Sequence, residues 1–168
     1  MWTPARYGLS FHFMPIFALP RPVLWLGLAG ILPQAVCLAV AIVQPDWRWV
    51  ALAAGCFYAA VILSFLGGLW WMQALLRGEP GWEPYLWSVA ASLSGWALLL
   101  PWTFGWSWPG PSLLLLGLAV LLSPLVDRRL ARSLPVPDSW LALRQLMATG
   151  LGVLTLLQGL AAGQLLPN

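Results

Sequence analysis

Five apolar stretches alternate with short polar connections along this chain, and their lengths suit helices through a bilayer. They run Pro22–Val43, Trp49–Leu76, Tyr85–Phe104, Pro111–Val126 and Trp140–Leu165. The pattern predicts an all-α integral membrane bundle of five transmembrane helices, a single domain over residues 22–168. Residues 1–21 read as an interfacial arm: Pro4, Pro15 and Pro20 interrupt the apolar run, and no small-residue cleavage site follows. Pro33 lies inside the first stretch and predicts a kink, since it removes one backbone hydrogen bond. The fourth stretch is short, and Pro124 is expected to loosen its last turn.

Small residues recur within these stretches. Cys56, Ala60, Ser64 and Gly68 follow a spacing of four, with Gly67 widening the same notch. That spacing predicts one face of the second helix, where a neighbouring backbone comes close. Ser88, Ala91, Ser92 and Gly95 predict a similar face on the third helix. Ala148, Gly152, Thr155, Gly159 and Gly163 do so on the fifth. Among the polar residues within these stretches, Gln34, Ser64, Ser92, Thr155 and Gln158 form a candidate set. They predict a polar seam inside the bundle, as hydrogen bonds between helices or as the lining of a ligand pocket.

Composition sharpens the class. The chain is 61% hydrophobic and 8% charged, against roughly 25% charged in a soluble domain, so it cannot cover a water-facing surface. All eight basic residues are arginines. Arg6, Arg21, Arg77, Arg128, Arg129, Arg132 and Arg144 fall on one side of the predicted membrane, and Arg48 alone falls on the other. The positive-inside rule then predicts a cytoplasmic N-terminus and an external C-terminus. Thirteen tryptophans, most near the ends of the stretches, read as two aromatic belts. A net charge of +3 carried beside apolar spans predicts attraction to anionic lipid and not to nucleic acid.

Candidate chemistry is sparse. Asp46, Glu79, Glu83, Asp127 and Asp138 all fall in connections, which argues against a proton-coupled pump. His12 is the single histidine, placed in the arm without a partner ligand. Cys37 and Cys56 come at similar depth, as two small core residues or as a disulfide or metal pair. No nucleophile–base arrangement and no phosphate-binding glycine loop is present, and the expectation is no catalysis, no metal and no cofactor. Arg144 opens the fifth stretch from just inside the membrane boundary. Either it snorkels to water or it pairs with Asp127 across the fourth–fifth connection.

Four segments together resemble a known family. Leu26-Gly27-Leu28-Ala29-Gly30-Ile31-Leu32-Pro33 is one, and the run Tyr58–Trp71, YAAVILSFLGGLWW, is the most specific. Trp87-Ser88-Val89 continuing to Leu98-Leu99-Leu100-Pro101 is the third, and Asp127, Pro137, Trp140 and Leu143-Arg144 form the last. The chain resembles the transmembrane protein 69 family (domain of unknown function 3429). Members often carry His or Arg where this chain has Trp70, and Gly where it has Met72. The resemblance implies a bacterial or mitochondrial inner membrane and supplies no activity. The expected function is a non-catalytic protein of the bacterial inner membrane that binds lipids or other membrane proteins, for instance as an assembly factor. The alternative is a carrier or receptor for a small hydrophobic molecule held between helices. A cavity of roughly 300 Å³ or more, lined by aromatics and a few polar groups, would favour the alternative.

Overall fold

The structure is a computed structural model that describes residues 19–105, 109–132 and 136–165. The expected arm, with Arg6 and His12, falls almost wholly in residues 1–18, outside the described residues, as do Trp106 and Trp108. Among the described residues seven α-helices follow one another: α1 Arg21–Ala29, α2 Leu32–Val43, α3 Arg48–Arg77, α4 Glu83–Ala97, α5 Leu100–Thr103, α6 Gly110–Leu130 and α7 Asp138–Leu165. No strand occurs among the described residues. Among the described residues four helical stretches are long and apolar enough to cross a membrane: Arg21–Val43, Pro45–Arg77, Gly110–Leu130 and Asp138–Gln164. The architecture is that of a multi-pass membrane protein. Large apolar side chains such as Leu26, Val61, Phe65, Leu76 and Leu160 point outward, where water would penalise them and lipid does not.

Proline explains the departures from five uninterrupted spans. The first stretch breaks at Gly30–Ile31, because Pro33 has no N–H for the Ala29 carbonyl. The Tyr58 hydroxyl donates to the Gly30 carbonyl oxygen at 2.5 Å, so the broken backbone is satisfied by a neighbouring helix. The third stretch splits into α4 and α5 ahead of Pro101. At 15 residues α4 alone falls short of the ~20 that a crossing needs. Pro124 does not end α6, which runs on to Leu130 and is longer than its sequence pattern predicts. Gly78 closes α3 in the left-handed region at φ 65°, with the Glu79 N–H bonded to the Ala74 carbonyl.

Two pairs of helices, α3 with α4 and α6 with α7, run antiparallel and meet through glycine. A Cβ on Gly67 would lie 2.4 Å from the Ser88 carbonyl oxygen, and one on Gly95 would lie 3.0 Å from that of Ala60. These two contacts zip α3 to α4. Between α6 and α7 the corresponding knobs are Leu121 against Gly152, Leu156 against Gly117, and Leu114 against Gly159, each within 3.0 Å of the would-be Cβ. Without a hydrophobic driving force in lipid, this close backbone approach is how such helices gain dispersion energy.

Candidate functional site

One buried stripe of α7 carries part of the polar interior. Arg144, Ala148, Leu151, Thr155, Gln158 and Ala162 alternate by four and three residues, and all are buried. That spacing keeps a nearly constant face toward α1–α3 and α6. Three of the six are polar, and each finds its partners inside the protein.

At one end of the stripe Arg144 meets Asp127. A single terminal guanidinium nitrogen donates to both carboxylate oxygens, at 3.2 and 3.0 Å, and the two side chains are 5% and 9% exposed. The Trp70 indole N–H donates to the same Asp127 oxygen at 2.7 Å. Three helices, α3, α6 and α7, therefore converge on one carboxylate. The longer α6 makes this possible, because its extra turn carries Asp127 into the bundle. Trp70 occupies the position where the family resemblance leads one to expect a basic residue, and it too serves as a donor. Around this centre lie Arg128, which donates to Gln145, and Arg129, which pairs with Glu83. Hydrogen bonding from Arg129 holds the Glu83 carboxyl below the usual glutamate range.

Deeper along the stripe, the Gln34 amide donates to the Gln158 side-chain oxygen at 2.8 Å, and Gln158 donates back to the Gln34 carbonyl at 3.3 Å. Both residues are fully buried. Gly55 makes the space: a Cβ there would sit 2.1 Å from the Gln158 oxygen. The Thr155 hydroxyl donates to the Leu151 carbonyl one turn back. Between the ion pair and the amide pair lies an apolar cavity of about 60 Å³, lined in part by Gly30, Ile62, Arg144 and Leu151.

Several expected site residues lie elsewhere. Gly68 is exposed, with nothing within 4 Å of a would-be Cβ, and does not belong to the packing face. Each four-residue step turns about 40° around a helix, so Gly68 stands roughly 120° from Cys56. The buried face is Cys56, Ala60, Leu63, Gly67, Trp70 and Ala74, whose steps of four and three cancel that drift. Ser64 is half-buried against Gly95 and Ser92 is exposed, so neither joins Gln34, Thr155 and Gln158. Gly152 and Gly159 face α6, whereas Gly163 is exposed near the end of α7. Cys37 and Cys56 are both free thiols. No group of three metal-ligating side chains converges among the described residues. The sequence reading missed Gly55, Tyr58 and Trp70; the only hint of Gly55 was its place beside the Cys56 ladder.

Residues 19–160 match the family described as Protein of unknown function (DUF3429). The chain belongs to this family. The matched region takes in the whole stripe from Arg144 to Gln158 and its partners on α2, α3 and α6. No curated protein and no solved structure matches the chain.

Proposed function

We propose that this protein is a non-catalytic docking protein of the bacterial inner membrane whose partner is a transmembrane helix of another membrane protein. The observation that carries this reading is the groove on the outer side of α3 and α4. It measures about 240 Å³ and is lined by Gly67, Gly68, Trp71, Ser88, Ser92 and Leu93 among others. Gly68 has open space where a side chain would stand, and Ser92 presents a hydroxyl outward. A glycine and a serine on a lipid-facing groove give an approaching helix close backbone contact and a hydrogen bond. The interior supports the same reading, because its polar groups are largely spent on one another around a cavity of only about 60 Å³.

In this reading α4 and α5 together supply a fifth crossing between α3 and α6. Arg21, Arg77, Arg128, Arg129, Arg132 and Arg144 gather at one end of the bundle, and Arg48 sits at the other beside the Ala41 carbonyl. That asymmetry supports a cytoplasmic N-terminus and an external C-terminus. A C-terminal alkaline phosphatase fusion is then active and a C-terminal green fluorescent protein fusion dark; the reverse pattern overturns the topology.

A photoreactive amino acid at Ser92 tests the docking face in native membranes. The expected result is one defined cross-linked species that disappears when Gly68→Leu is added, while the purified Gly68→Leu protein melts like wild type. Cross-linking equal to that from lipid-facing Leu160 would refute it. One observation favours a ligand carrier instead: a surface groove of about 340 Å³ lined by Phe57, Trp96, Leu99, Leu100 and Trp102, with the Trp102 indole N–H unpartnered.

A further inference from the structure

A second groove, on a different face, carries a more specific assignment. It measures about 200 Å³ and runs between α4 and α6 with α3 as its floor. The two helices touch only lightly, because Ala90, Ala91 and Ala119 line the gap and no large side chain fills it. Ser123 lines the same groove. It is 2% exposed and its hydroxyl has no hydrogen-bond partner. An unmade hydrogen bond of a buried hydroxyl is costly, and more so where no water competes. The Glu83–Arg129 pair joins the start of α4 to the end of α6. Arg132 stands exposed at that same end and acts on Glu83, whereas Arg128 turns to Gln145 on α7. Ser123 lies six residues before Arg129, about 9 Å along a helix.

We propose that this groove holds one acyl chain of an anionic glycerophospholipid. The chain lies over the three alanines. The ester carbonyl at its head accepts a hydrogen bond from the Ser123 hydroxyl, and the phosphodiester faces Arg132 beside the Glu83–Arg129 pair. The spacing suits a lipid, in which the ester carbonyls sit just below the phosphate, and the local excess of arginine selects negative charge. The site lies on a different face from the α3–α4 docking groove and does not depend on it.

Native mass spectrometry of the full chain, released from detergent with dioleoyl phosphatidylglycerol or dioleoyl phosphatidylcholine, tests this. The two probes share acyl chains and differ in charge. The expected result is one retained phosphatidylglycerol, held in clear preference to phosphatidylcholine. Ser123→Ala lowers the retained fraction about fivefold, the worth of one hydrogen bond. Arg132→Gln brings the two lipids to parity. Ala90→Trp, at an exposed position on the groove wall, abolishes retention without touching the core. Equal retention of both lipids by wild type would overturn the assignment. So would undiminished retention in Ser123→Ala, which would leave the hydroxyl to water alone, or in Ala90→Trp.

Discussion

Changing Asp127 to Asn leaves an oxygen to accept from Trp70 but strips Arg144 of its counter-charge. Arg144 is 4% exposed, so its guanidinium is left buried without an anion. Removing one partner of such a pair costs about 3–5 kcal/mol, a large share of the stability of a small domain. Arg144→Gln leaves the carboxylate with only the Trp70 bond and costs nearly as much. The double variant places two neutral amides side by side, which can bond to each other and carry no uncompensated charge. Its loss is then well below the sum of the single losses, with a coupling of about 2 kcal/mol or more. Denaturation in detergent micelles, followed by helical circular dichroism, measures all four corners of the cycle. Losses additive to within about 0.5 kcal/mol would show that the two groups do not hold each other, and the convergence of α3, α6 and α7 would need another cause.

Three further predictions follow from the packing and the surface charges. Gly67→Ala drives a methyl to within 2.4 Å of the Ser88 carbonyl and is expected to cost about 1–3 kcal/mol, whereas Gly68→Ala meets nothing and leaves melting unchanged or slightly raised; equal melting of the two would contradict the assigned face. Gln34→Leu leaves the buried Gln158 side-chain oxygen without its donor and destabilises more than the double change Gln34→Leu/Gln158→Leu, which thermal melting resolves; a double variant as unstable as the two losses combined would remove the amide pair from the account. Glu83 has its folded carboxyl held below the ordinary glutamate range by Arg129, so the pair stabilises the fold above that range and ceases to do so as pH falls through the lowered value. The melting difference between wild type and Glu83→Gln should therefore be present at neutral pH and vanish in acid, and a difference that persists in strong acid would show that Glu83 acts through packing and not charge.

The class of the protein was legible in the chain because hydropathy and arginine placement act over whole segments, and no tertiary contact can reverse either. The Asp127–Arg144 alternative was legible for a related reason: a charged residue just inside a span has few partners to choose from. Finer assignments failed where the signal was angular. A four-residue ladder from Cys56 to Gly68 looks like a stripe in sequence, yet it winds steadily off the contact face, and only the true crossing of α3 with α4 picks Gly67 over Gly68. Polar residues at membrane depth share a need for partners, but which of them meet depends on helix rotation. Gln34 and Gln158, 124 residues apart, meet because Gly55 yields space and the break at Pro33 sets the direction of α2. Ser92 turns outward on a helix that buries Ser88 one turn earlier. Composition and periodicity thus determined that the chain enters a membrane as helices. Which faces close on one another, and which grooves stay open, was decided by side-chain volume at the crossings, a property that exists only once two helices are in contact.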